Sequence, residues 1–257
     1  MKPQFSPIFV SHGAPTIVVE NSSTSDFLRH LGRDLGRPKG IVCISAHWTT
    51  AEPRVTMHPH PDTMYDFGGF SDELYSLTYP APGDPLLAQR VLSLLRGNGI
   101  PADKDMSRGF DHGAWTPLML MYPDADIPVI QLSVQPHLGP EHHFSVGRAL
   151  KPLIDEEVLI LASGSATHNL RDFFGRKLDS EPLPYAQEFA GWLTKAIVEG
   201  RTDELFDYEK RAPQALRNHP TPEHFLPIFV PMGAGGAGTL LHDAYSYGFL
   251  NMAAYHW

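Results

Sequence analysis

Three histidines stand just past short apolar runs: His12 after Pro7-Ile8-Phe9-Val10, His47 after Ile41 to Ala46, and His168 beyond Val158 to Ala162. Imidazole nitrogen is a good ligand for divalent first-row metals, and three or four convergent nitrogens suit iron or zinc. Any one of these residues alone reads more simply as a hydrogen-bonded loop histidine. Three at equivalent positions point to a metal site or to proton chemistry. His112, in Gly109-Phe110-Asp111-His112-Gly113-Ala114-Trp115, lies between glycines in a stretch that reads as a loop, which favours a site role. His219 and His224 flank Pro220-Thr221-Pro222-Glu223, so that segment offers an imidazole or a carboxylate. His58 and His60 read as residues of a solvated hairpin, and His142 and His143 as residues of an exposed helix. His30, His137, His242 and His256 carry no readable signal.

The elements that position these residues follow from the pattern of apolar residues. Pro7–Val10, Ile41–Ala46, Ile127–Val134 and Val158–Ala162 are largely apolar stretches of strand length and read as four buried strands. Thr24 to Leu35 has helical spacing, with Phe27, Leu28, Leu31 and Leu35 on one side and Thr24 or Ser25 as cap. Asp84-Pro85 opens a helix that runs to Arg96 and closes at Gly97. Further helices are expected over 140–154 and 184–198, and Thr221-Pro222 reads as a helix start. Residues 52–82 read as a hairpin followed by a long loop over the strand ends, and 239–255 as two final strands around Gly248. Strand and helix alternate without repeat or linker. One α/β domain over residues 1–257 is expected, with a mainly parallel central sheet flanked by helices and an active site at the carboxyl ends of its strands.

Composition narrows the function. The 257 residues carry a formal charge of −9 and 42% hydrophobic residues, values of a globular chain without a nucleic-acid surface. The single cysteine, Cys43, lies in an apolar run and reads as a small buried hydrophobe. It allows no internal disulfide. Met1 to Pro7 shows no signal-peptide apolar region, and no stretch approaches the roughly 18 residues of a membrane helix. A cytoplasmic protein that binds neither membrane nor nucleic acid is expected.

Seven short motifs then converge. Ser11-His12-Gly13-Ala14-Pro15, Ser45-Ala46-His47-Trp48, Asp66-Phe67-Gly68-Gly69-Phe70, Tyr79-Pro80-Ala81-Pro82-Gly83, Phe110-Asp111-His112-Gly113-Ala114-Trp115, His168-Asn169-Leu170 and Thr221-Pro222-Glu223-His224 resemble the 4,5-DOPA extradiol dioxygenase family. That family belongs to the class III, LigB-like extradiol dioxygenases. The resemblance implies that His12, His47 and His224 are metal ligands. It implies that His168 is the catalytic acid/base and a possible fourth metal ligand, and that His112 hydrogen-bonds bound oxygen or substrate. Wider class III enzymes use two histidines and a glutamate, so the third ligand stays open between His224 and the adjacent Glu223.

The implied cofactor is Fe(II), with Zn(II) a possible occupant of the same ligands. The implied reaction adds both atoms of dioxygen to a small-molecule catechol such as DOPA and gives a muconic semialdehyde. Tyr65, Phe67, Phe70 and Tyr75 of the 52–82 loop offer an aromatic wall, some of them as loop packing. A histidine-only site suits a zinc-dependent hydrolase or amidase equally well. A non-enzymatic metal or small-molecule binder on the same scaffold is the third reading, since fold does not set function.

Overall fold

Alternate residues of the central strands enter two different cores. Val42, Ile44, Ile130, Leu132, Ile160 and Ala162 face one core, while Ile41, Cys43, Val129, Leu159 and Leu161 face the other. That is why these strands are mostly apolar on successive residues: neither face meets water. The computed structural model describes residues 5–257. The first four, part of the stretch read above for a signal peptide, lie outside the described residues.

The strands are β1 (Ile8–Ser11), β2 (Gly40–Thr49), β3 (Arg54–Thr56), β4 (Asp103–Asp105), β5 (Val129–Val134), β6 (Val158–Gly164), β7 (Thr239–His242), β8 (Tyr245–Ser246), β9 (Leu250–Asn251) and β10 (Ala254–His256). One mixed sheet has the order β4-β3-β5-β2-β6-β1-β10-β7, and β8 pairs with β9 separately. Its centre, β5-β2-β6-β1, is parallel, as the apolar runs require. Register then fixes the rim. Ser163 of β6 lies opposite both Val10 of β1 and Ser45 of β2, so the chain just beyond each strand emerges side by side.

The helices are α1 (Ser23–Leu35), α2 (Asp72–Ser76), α3 (Pro85–Gly97), α4 (His112–Met121), α5 (Gly139–Leu150), α6 (Pro152–Asp155), α7 (Pro184–Val198), α8 (Thr202–Phe206), α9 (Tyr208–Arg211), α10 (Ala215–Asn218) and α11 (Phe229–Ala234). Apolar residues of α1 and α4 enter one core, and those of α3, α5 and α11 the other, so helices flank both faces. Asp84 caps α3 through the Leu86 and Leu87 N–H groups at 2.9 and 3.0 Å, as the Asp-Pro start implied. None of the described helices is long and apolar enough to cross a membrane.

Several expectations are corrected. The cap of α1 is Ser22, which exchanges hydrogen bonds with Ser25, three residues on, in a capping box. The segment after Trp48 forms no hairpin: β3 pairs antiparallel with β5 and parallel with β4, whose Asp-Lys-Asp sequence has no apolar signature. His58 and His60 follow β3 in irregular chain, half-buried and exposed respectively. Residues 112–115, read above as part of a loop, open α4, because Asp111 caps it and burial on nearly every side leaves no amphipathic period to read. The expected helix over 140–154 divides at Pro152 into α5 and α6. Thr221 starts no helix; its hydroxyl donates to Glu223, and Pro227 lies too close for a helix to continue. The C-terminal segment forms four strands, of which β8 and β9 turn about Tyr247 and Gly248, while β7 and β10 extend the main sheet.

His143 is buried rather than exposed on its helix. Its Nδ1–H donates to the Gly139 carbonyl at 2.7 Å and its Nε2 accepts the Gln135 N–H at 3.1 Å. Acceptance at Nε2 needs the neutral ring, and burial lowers its pKa from 6.5 to about 4. Between those values the unfolded chain binds more protons than the folded one. Stability is therefore full above pH 6.5 and falls as pH drops towards 4. In urea titrations across that window, His143→Gln should flatten the pH slope by up to about 1.4 kcal/mol per pH unit. Equal slopes in the two proteins would remove His143 from this role.

Candidate metal centre

Each site histidine is delivered by the sheet's carboxyl rim. His12 follows β1 and donates its backbone N–H to the Gly164 carbonyl of β6 at 3.0 Å. His47 lies inside β2, which runs on to Thr49, in the stretch where pairing with β5 shifts register between Ile44 and Thr49. His224 arrives from the far end of the chain. Its carbonyl accepts the Ser165 N–H at 2.9 Å and sits where a Cβ on Gly164 would lie 2.2 Å away, so only glycine admits the segment. His168 is anchored by its backbone N–H to the Asn218 carbonyl at 3.0 Å.

Three ring nitrogens converge. His47 Nε2 lies 3.1 Å from His12 Nε2 and 3.2 Å from His224 Nε2. The surrounding hydrogen bonds assign the tautomers. Ser163 has one hydroxyl hydrogen, which goes to the Gly113 carbonyl, so its oxygen accepts from His12 Nδ1–H at 2.9 Å. His224 Nδ1 faces Glu223 Oε1 at 3.1 Å, and His47 Nδ1 faces Asp66 Oδ2 at 3.5 Å. With a proton on each Nδ1, the three Nε2 lone pairs point at one another. The 3.1 and 3.2 Å separations fall between the ~2.9 and ~3.4 Å edges of octahedral and tetrahedral nitrogen sets about 2.0–2.1 Å from an ion. His12, His47 and His224 can thus hold one cation.

His168 reaches the same floor differently. Its ring stacks on that of His224, with centroids 3.6 Å apart and planes 8° from parallel. A nitrogen of it groups with Glu223 and His224 rather than with His12 and His47. His112 is the first residue of α4, its ring centroid 3.9 Å from that of His47. Asp66 accepts both its backbone N–H, at 2.8 Å, and its Nδ1–H, at 3.0 Å. A parallel bridge between Thr63 and Phe110 carries Asp66 to that position.

Behind these rings lies the buried carboxylate of Asp111. It accepts from Ser45 Oγ at 2.6 Å, Gln131 Nε2 at 2.8 Å and Arg108 at 3.1 Å, and it caps α4 through the Ala114 N–H at 3.2 Å. Arg108 also donates to the His47 carbonyl at 3.1 Å. Gly113 lets α4 approach β2, since a Cβ there would lie 2.5 Å from Ser45 Oγ and 2.9 Å from His47 Cδ2.

Burial first, then mutual proximity, lowers the pKa of His12 and His224 well below the ordinary value, and that of His47 and His168 to about 4. Around neutral pH all four are uncharged, with lone pairs free to ligate or to take a proton. Burial works to raise the Asp66 pKa, but the bonds and charge of His112 and His47 outweigh it and hold the carboxyl down at about 2.

Above this floor lies a cavity of about 460 Å³, within the range of small-molecule sites. All five sequence-predicted histidines line it: His12, His47, His112, His168 and His224. Of the four aromatics proposed as its wall, Phe67 and Phe70 line it, whereas Tyr65 and Tyr75 pack behind Phe67. His219 is buried elsewhere, its Nε2 on the Ala166 carbonyl at 2.9 Å. Sequence reasoning assigned no role to Asp66, Asp111 or Ser163. Asp111 carried a usable sign, a capping residue ahead of a buried apolar run. Asp66 and Ser163 lay within or beside stretches that were read, yet nothing local tied them to a histidine.

Comparison with known proteins agrees with this geometry. The family described as "Catalytic LigB subunit of aromatic ring-opening dioxygenase" matches residues 6–256. A protein named 4,5-DOPA dioxygenase extradiol from Beta vulgaris is 45% identical over 96% of this chain and 94% of its own length. One of the same name from Escherichia coli K12 is 42% identical over 88% of this chain and 84% of its own. The crystal structure of an uncharacterized protein from Escherichia coli K12 superposes with a TM-score of 0.82 at 36% identity, covering 98% of both chains. The chain belongs to the LigB family and is an extradiol ring-opening dioxygenase, so ring opening prevails over the hydrolase and binder readings.

Proposed function

We propose that this LigB-family chain, acting as one catalytic domain, opens the ring of a catechol such as DOPA to give a muconic semialdehyde. The observation that carries the proposal is the convergence of the His12, His47 and His224 Nε2 atoms beneath an apolar-walled cavity. Those three residues would hold one divalent ion, Fe(II) for turnover, with Zn(II) able to take the same ligands. When bound, Fe(II) acidifies the catechol hydroxyls and links the ring electronically to dioxygen. Ser163, Asp66 and Glu223 keep the Nδ1 protons in place, leaving each Nε2 bare. Phe67 and Phe70 hold the ring and exclude water. His168, uncharged at neutral pH, accepts a hydroxyl proton and returns one when the ring opens. His112, its Nδ1 committed to Asp66, keeps Nε2 for a hydrogen bond to substrate or oxygen. Every atom of catechol and dioxygen ends in the product, so no external reductant is needed. A cytoplasmic setting belongs to the same proposal, supported by one buried, unpaired cysteine.

The reaction is tested with oxygen-18 gas. Product mass should show two added oxygens, both labelled. Label entering from water during ring cleavage, before any aldehyde exchange, would exclude dioxygenation.

The third ligand is tested by equilibrium dialysis against Zn(II). Glu223→Gln removes only the group behind His224 and should weaken binding by about 10–100-fold. His224→Ala should abolish stoichiometric binding. The reverse order of retention would transfer the role to Glu223.

His168→Ala should keep the ion and bind catechol while kcat falls by roughly 10²–10⁴-fold. Loss of the ion from this variant would make His168 a ligand and leave His112 as the better base.

A further inference from the structure

The floor and the wall of the cavity differ in chemistry. Five histidines and Asp66 supply all the polar side chains among the described lining residues; the rest are Gly, Ala, Pro, Leu or Phe. Among the described residues, no lysine or arginine lines it, and no hydroxyl or amide side chain does. Asp66 is the one carboxylate there, already accepting two bonds from His112.

The mouth continues the apolar wall. Leu170, Phe173 and Phe174 come from one short segment beyond β6 and are 57%, 38% and 89% exposed. Large apolar side chains left in water as a group, at the rim of a cavity, mark a binding surface. The segment is held from behind. Tyr185 donates to Asp172 Oδ2 at 2.6 Å, and the Phe173 ring lies 5.1 Å from Tyr247 and 6.3 Å from Phe249. Arg171 and Arg176 belong to the same stretch but line no part of the cavity.

We infer that among catechols the cavity favours a neutral, apolar ring substituent, an alkyl or aryl group, over the charged side chain of DOPA, and that Phe67, Phe70, Leu170, Phe173 and Phe174 select it. This rests on the catechol-opening reading above. A carboxylate on the substituent would shed water and find no cation or neutral donor on the wall to replace it. It would also approach Asp66 and a chain of net charge −9. An ammonium would find only Asp66, whose bonds are taken by His112. An alkyl chain instead loses apolar area to the wall, which raises affinity roughly fourfold per methylene.

The test uses the full chain in two forms. Fe(II)-reconstituted protein is assayed for ring opening of catechol, methylcatechol, butylcatechol, dihydroxyphenylpropionate and DOPA. Zn(II)-loaded protein is titrated calorimetrically with the same series. kcat/KM and affinity should both climb from catechol to butylcatechol, and butylcatechol should exceed the similarly sized propionate by about tenfold or more. Phe174→Arg places a cation at an exposed position and should raise kcat/KM for the propionate while lowering it for butylcatechol. Such a gain cannot come from misfolding. Equal or better handling of the propionate by the unaltered protein, or an unchanged ratio in Phe174→Arg, overturns the inference. If Phe174→Arg changes only the sedimentation of the protein, the apolar rim serves a second copy of the chain and the inference falls. Failure to open any catechol would instead defeat the reaction assignment, while the Zn(II) titration still reads the substituent preference.

Discussion

Everything at the rim of the sheet serves one awkward contact: three uncharged imidazoles whose Nε2 lone pairs face one another at 3.1 and 3.2 Å. Alone, this arrangement is repulsive. The rings cannot relieve it by protonation, because burial disfavours the charged form. Nor can they rotate freely, because an acceptor faces each Nδ1. A cation is the natural partner of such a set, and the parallel sheet is the means of assembling it. Neighbouring strand ends carry His12 and His47, and the chain just beyond β6 holds the His224 segment against them, which no local segment could do.

The second requirement is a rigid support, and it centres on Asp111. A carboxylate with no exposure to water is costly unless its oxygens are bonded and its charge is met. Here Ser45, Gln131, Arg108 and the start of α4 supply those bonds. Each comes from a different part of the fold, so a single buried charge ties β2, β5 and α4 at the point where His47 and His112 meet. Glycine at 113 is the complement of this junction, since any side chain there would part α4 from β2.

Much of this was legible in the sequence. Strands buried on both faces tend to be apolar at successive positions, and the four central stretches largely were. Asp84-Pro85 and Pro184 mark helix starts because capping and a fixed φ are local properties. The histidines at 12, 47 and 168 stood out because a polar residue ending an apolar run needs a reason to be there. Their grouping followed from the general rule for parallel sheets, and the family resemblance gave roles to His112 and His224, which their own segments had already marked.

What tertiary structure alone decided is where partners come from other elements. The sequence around Asp66 does not say that a bridge from Thr63 to Phe110 will set it against His112. Ser163 becomes the group that orients His12 only because register places β6 between β1 and β2. His143 looked exposed and is buried, and 112–115 looked like loop and open a helix. In both it was the burial, set by packing against other elements, that the local pattern did not show. Thr221 looked like a cap, but its hydroxyl found the nearby Glu223 carboxylate instead of a backbone N–H. Local sequence determines which backbone states are cheap and which faces must be hidden. Which polar groups then meet is a matter of distances set by packing, and those depend on the whole chain at once.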